Sequence, residues 1–131
     1  MEKIKISFIS QQNATRSILA EAICMHLYAD KFEVYSAGVE PRSHIVCDVS
    51  KTLMRNYGIV PLSEPKHISE IPVTDIVVVM GEDVDVDVEA KYSENFGLDD
   101  PMHKLDEIFD LTCTIIELRL EKIVQNLANI K

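Results

Sequence analysis

Several things are missing from this chain of 131 residues, and each absence excludes something. No apolar run approaches the roughly 18 residues of a membrane span, and Met1-Glu2-Lys3-Ile4 has no signal-peptide layout. The expectation is a cytoplasmic protein with no membrane partner. Positive charge is scarce: 13 Lys and Arg against 22 Asp and Glu leave a net charge of -9. A chain that releases counterions from nucleic acid needs a basic face, so nucleic acid is excluded as a partner and any anion site must be local. Cysteine is scarce too. Cys24, Cys47 and Cys113 have no paired spacing, which suits reduced thiols better than a disulfide framework or a zinc site, and no metal or cofactor is expected. There is no internal repeat, low-complexity tract or linker, so residues 1–131 read as a single domain, expected to be a monomer.

What is present is an alternation of strands and helices. Ile4 to Ile9 alternates apolar and polar residues and reads as a strand. A helix over about 15–29 follows, with Ile18, Leu19, Ala22, Ile23, His26 and Leu27 as its apolar stripe. Phe32 to Ser36 reads as a second strand ended by Ala37-Gly38, and a helix over about 45–57 should stop at Gly58. After a proline-marked loop, Asp75 to Met80 is a continuous apolar strand buried on both faces, and Tyr92 to Phe96 a short fourth strand. The last helix, over about 104–129, carries Leu105, Ile108, Phe109, Thr112, Ile115, Ile116, Leu120, Ile123 and Leu127 on one side. This order predicts an α/β fold: a doubly wound four-stranded parallel sheet flanked by helices. Its ligand site lies beyond the carboxyl ends of the strands.

At that end of the first strand stands Ser10-Gln11-Gln12-Asn13-Ala14-Thr15-Arg16-Ser17. A polar loop opening a helix gathers backbone N–H groups around one point, where the helix dipole favours negative charge. Arg16 adds a planar charged fork suited to phosphate-like tetrahedra, and Ser17 a hydroxyl in the first turn. Gln11, Gln12, Asn13, Ala14, Thr15, Arg16 and Ser17 are therefore the candidate oxyanion-binding residues. The expected ligands are phosphate, sulfate or arsenate, with a phosphorylated protein as a further candidate.

Ser10, six residues before Arg16, occupies the position of the attacking atom. With cysteine there, the loop resembles the active loop of the low-molecular-weight protein tyrosine phosphatases and related arsenate reductases, whose signature runs Cys, five residues, Arg, Ser. Asp100-Pro101, Ala20-Glu21-Ala22 and Tyr35-Ser36-Ala37-Gly38 extend the resemblance over essentially the whole chain. It implies Ser10, Arg16 and Asp100 as the catalytic positions, Asp100 being the general acid, with Asn13 and Glu21 bracing the loop.

The departures matter as much. A loop of this kind lowers a cysteine's pKa, whereas serine needs an adjacent base, and no histidine lies near in sequence. Ser10 should be a poor nucleophile. Met102 and His103 stand where the phosphatases carry tyrosines. The wording around Asp100 is nearer to the arsenate reductases, yet Gly81 to Glu89 contains none of their relay cysteines. Three readings follow. The first is a phosphomonoesterase active only with cysteine at position 10. The second is a catalytically dead protein binding oxyanions or phosphorylated partners. The third is an arsenate reductase, disfavoured by the missing thiols. Ser10 then stands either as a substitution made in an active enzyme or as the residue of a chain that kept only binding.

Other residues read more plainly. Asp83, Asp85, Asp87 and Glu94 match EF-hand ligand positions, but Val88 replaces the required glycine, and a solvated acidic flap is the default. His26 reads as a partly buried structural residue, while His44, His67 and His103 lack ligand spacing. Cys24 reads as a packed hydrophobe. None of the three cysteines is expected to face the flap or resolve an adduct.

Overall fold

A computed structural model describes residues 2–130. The elements are β1 (Ile4–Ser10), α1 (Arg16–Tyr28), β2 (Phe32–Gly38), α2 (Cys47–Tyr57), a 3-10 turn (Ile68–Glu70), β3 (Ile76–Val79), β4 (Tyr92–Asn95), α3 (Asp106–Gln125) and the short α4 (Leu127–Ile130). All four strands are parallel, in the order β2-β1-β3-β4, so the winding reverses beside β1. That reversal places the loop after β1 in the crevice where such sheets bind ligands.

The two faces of the sheet are covered differently. Ile6, Phe8, Val34, Ile76 and Val78 point to one side, where they share the larger core with Ile18, Leu19 and Ile23 of α1, Val49 and Leu53 of α2, and Phe109, Ile116 and Leu120 of α3. Each such side chain contributes roughly 1.5–3 kcal/mol on burial. The opposite side carries Ile9, Ala37 and Val77, covered by Val39, Ile68, Ile71, Val84, Val86 and Val88. β3 is thus buried on both faces, as its unbroken Ile-Val-Val-Val implies. The twelve residues from Met80 to Lys91 link β3 to β4 without a helix, about the minimum for a parallel crossover. Residues 83–89 lay their valines on the sheet with every second residue, while Asp83, Asp85, Asp87 and Glu89 stay exposed.

Some helical expectations need correcting. α1 has no one-sided stripe: every residue from Arg16 to Cys24 is buried, because sheet, α2 and α3 enclose its first two turns. Past Cys24 the helix emerges, so His26 is exposed, edge-on to Tyr57 at 5.8 Å, and is not a partly buried residue. The last helix breaks at Asn126, whose N–H and side-chain amide both fold back onto carbonyls of the final turn. Its core side is Phe109, Thr112, Cys113, Ile116, Leu120 and Ile123. Leu105 and Ile108, expected on that side, are 73% and 41% exposed.

Candidate functional site

The loop between β1 and α1 has its backbone sorted by polarity. The carbonyls of Ser10, Gln11, Gln12 and Ala14 accept hydrogen bonds from the N–H groups of Val39, Glu40, Arg42 and Val46, at 3.3, 2.7, 3.0 and 3.0 Å. With the carbonyls pulled outward onto that segment, the amides turn the other way. Those of Gln12, Ala14, Thr15, Arg16 and Ser17 find no protein acceptor among the described residues. The turn is made at Asn13, which sits at φ 49°, a left-handed conformation that asparagine tolerates. Gly38 lies against it: a Cβ there would fall 2.9 Å from the Asn13 nitrogen and Cβ. Only a residue without a side chain lets β2 approach the loop so closely.

The hydrogen bonds beneath the loop are organised by Asn13. The Lys66 N–H donates to Asn13 Oδ1 at 2.9 Å, which orients the amide, so Asn13 Nδ2 must donate to Ser17 Oγ (2.8 Å) and Ser36 Oγ (3.1 Å). Ser36 passes its hydrogen to Glu21 Oε1 at 2.8 Å, as does Ser63 at 2.7 Å. Ser17 Oγ, which accepts from Asn13, also shares a hydrogen bond of 2.6 Å with Ser10 Oγ in which either hydroxyl can donate, and the Asn13 N–H donates to Ser10 Oγ at 3.0 Å. One fixed donor, the Asn13 N–H, and one hydroxyl able to donate, that of Ser17, therefore meet the buried atom at position 10. No histidine or carboxylate is hydrogen-bonded to Ser10 among the described residues.

Arg16 is the largest fully buried side chain among the described residues. Its Nη1 and Nη2 donate to the two oxygens of Asp83 at 2.7 and 2.8 Å, and Nη1 also donates to the Leu98 carbonyl at 2.8 Å. A guanidinium has five N–H bonds. Three are used; Nε, which is buried without a partner, and the second hydrogen of Nη2 remain, and they share one edge. Arg16 stands in the first turn of α1, and helical side chains tilt toward the N-terminus, which is the side of the loop. The Arg16 hydrogen bonds hold the Asp83 carboxyl below the usual carboxylate range against the opposing pull of burial.

Asp83 is the functional residue that sequence reading missed, having been grouped with a solvated flap. Its side chain is 53% exposed, but its carboxylate is committed to a guanidinium only 1% exposed. Gly81 makes room for this arrangement, because a Cβ there would lie 2.3 Å from Arg16 Nη1 and 2.4 Å from the Leu98 oxygen. Gly81→Ala should therefore displace Arg16, cost about 1–3 kcal/mol as overpacking does, and weaken phosphate binding. Thermal melts and phosphate titration of the variant check both effects.

The remaining candidates fall around the rim. Asp100 Oδ1 accepts from Thr15 Oγ1 and from the Met102 N–H, both at 2.9 Å, so the Asp-Pro turn is tied to the loop it was expected to serve. Thr15 gives α1 no side-chain cap, its hydroxyl being used for this link. Gln11 Nε2 donates to Glu40 at 2.7 Å, and its Oε1 accepts the Asp85 N–H at 3.3 Å, joining loop to flap. Cys24 and Cys113 are buried, and burial pushes each thiol up to about 12. Cys47 is exposed, one residue past Val46, whose N–H holds Ala14 of the loop.

The low molecular weight phosphotyrosine protein phosphatase family model matches residues 5–131. Arsenate reductase 1 of Staphylococcus epidermidis is 32% identical over 114 residues, covering 79% of this chain and 83% of its own. An arsenate reductase of Staphylococcus aureus is 32% identical over 111 residues with the same coverage. Among solved structures, an arsenate reductase in the phosphate binding state superposes with a TM-score of 0.84 at 22% identity, over 99% of this chain and 100% of that one. Vibrio vulnificus Wzb in complex with benzylphosphonate gives 0.74 at 16%, over 95% and 99%. Sheet order, loop placement and a match spanning almost the whole length agree, and this chain belongs to the low molecular weight phosphotyrosine protein phosphatase family.

Proposed function

We propose that this chain binds phosphate-like oxyanions in the loop from Ser10 to Ser17, and that with serine at position 10 it does not turn over phosphate esters. The inward amides, the helix dipole and the free edge of Arg16 would hold three oxygens of a tetrahedral anion. The observation that carries the reading is the surroundings of Ser10 Oγ, which meets the Asn13 N–H and the Ser17 hydroxyl but no base among the described residues. Against an anion at position 10 both would donate, which suits a thiolate. They do nothing to remove a proton from a serine hydroxyl, whose pKa lies far above neutrality without a base. Asp100, fixed at the rim by Thr15, is the proton donor to a leaving oxygen in a form that can react. In a steady-state assay with an aryl phosphate, the protein should match Ser10→Ala. Turnover that disappears in Ser10→Ala would refute the inactive reading.

The names of the Staphylococcus relatives favour arsenate reduction as a second reading for a cysteine form. That chemistry needs a second thiol able to reach the first adduct. Residues 81–95 supply none, and Cys24 and Cys113 are buried, which leaves exposed Cys47 as the candidate to test.

A further inference from the structure

Resting on the oxyanion reading, we infer that Lys66 is a positioning residue of the site: its ammonium neutralises the Glu21 carboxylate beneath the loop, and so lets the loop hold a dianion. Glu21 is only 6% exposed, and a buried charge needs a compensating one. No cation touches it directly among the described residues. Its Oε1 instead accepts from Ser36 Oγ at 2.8 Å and Ser63 Oγ at 2.7 Å. Lys66 Nζ donates to that same Ser63 Oγ at 3.0 Å and to the Ser36 carbonyl at 3.3 Å. Carboxylate and ammonium thus share both serines and stand a single hydroxyl apart. The backbone of Lys66 fixes this placement, because its N–H donates to Asn13 Oδ1 at 2.9 Å and its carbonyl accepts from the Gly38 N–H at 2.8 Å.

The charge matters to the loop because the other cation there is already matched. Asp83 pairs with Arg16, so the fork gives direction to its donors but brings no net positive charge. The whole chain carries -9, a background that opposes anions. Glu21 lies one serine behind Asn13: Asn13 Nδ2 donates to Ser36 Oγ, and Ser36 Oγ to Glu21. Left uncompensated, that carboxylate would repel a ligand in the loop from inside the protein, where salt screens little. With Lys66 in place the pair is neutral, and the amides and helix dipole act unopposed. Coulomb repulsion scales with the charge of the ligand, so removing the ammonium should hurt a dianion about twice as much as a monoanion on a logarithmic scale. A loop merely knocked out of shape would lose affinity for both alike.

The test uses the whole protein and two probes, sulfate and inorganic phosphate, in calorimetric titrations at about pH 5.5, where sulfate is a dianion and phosphate mainly a monoanion. Lys66→Met should weaken sulfate about tenfold and phosphate about threefold. Lys66→Gln keeps a donor for the serines without the charge and should lose affinity in the same way, and it stands in if Lys66→Met does not fold. Lys66→Arg, which keeps the charge, should stay within about threefold of the unaltered protein for both anions. Adding Glu21→Gln to either neutral variant should restore sulfate affinity to within about threefold of the unaltered protein, a non-additivity expected of coupled charges. Unchanged affinities in the neutral variants, equal losses for the two anions, or a double variant no better than its Lys66 parent would each overturn the inference alone. Anion binding by the unaltered protein that is absent, or indifferent to Arg16→Ala, would overturn the oxyanion reading beneath it.

Discussion

Arg16→Ala is expected to remove phosphate, sulfate and arsenate binding while the protein stays folded. The fork contributes the only charged donors in the loop, and truncating one partner of a buried, hydrogen-bonded charge contact costs 2–5 kcal/mol, roughly 30-fold to several thousand-fold in affinity. Folding should survive, because the abandoned Asp83 carboxylate is half exposed and regains water. The buried volume left by Arg16 should still lower the melting temperature. The Asp83–Arg16 pair also sets a pH limit. Asp83 has a depressed folded-state pKa, so the stability it adds is present above the ordinary value near 3.9 and is lost only as pH falls through the lower folded value. Binding between pH 5 and 8 should therefore follow ionisation of the ligand, with Asp83 charged throughout. Calorimetric titration of both forms checks the prediction, and equal affinities would remove Arg16 from the site.

Ser10→Cys should produce the largest gain. Position 10 already receives the Asn13 N–H and touches the Ser17 hydroxyl, both of which would donate to a thiolate, and helix N-termini beside positive charge bring cysteine pKa values down to ~3.5–7.5. Supplying a missing nucleophile is worth on the order of 10⁴–10⁶ in rate. Aryl phosphate hydrolysis should rise from background by about that factor. Its optimum should be acidic, because Asp100 must be protonated while the thiol is not. Ser10→Cys with Asp100→Asn should lose the fall in rate above the optimum. The same form should show no sustained thioredoxin-linked arsenate turnover. If it does, abolition by Cys47→Ser would identify the exposed thiol at the start of α2 as the resolving group.

Much of this architecture was legible in the chain because it depends on local pattern. The alternation in Ile4 to Ile9, the unbroken Ile76 to Val79 and the stop at Gly58, which takes φ 68°, are short-range signals, and the structure follows them. Asn13 and Glu21 were read as braces and lie in the network beneath the loop. What stayed hidden depends on contacts far apart in sequence. The amphipathic period fails in α1 because three neighbours enclose it, and no pattern within residues 16–28 reports that. The segment 39–46, which turns the loop carbonyls outward, has no motif of its own. Asp83 looked like one of several solvated acids, and only its position above Arg16, with Gly81 making room, separates it from Asp85 and Asp87.

In the proposed function, the amides of the Ser10 to Ser17 loop form the anion site. Backbone amide resonances of the unaltered protein, followed by ¹⁵N-resolved NMR during a phosphate titration, test it most directly. The account predicts saturable shifts concentrated at Gln12, Ala14, Thr15, Arg16 and Ser17, all lost in Arg16→Ala. Shifts centred elsewhere, or a spectrum indifferent to phosphate, would contradict it.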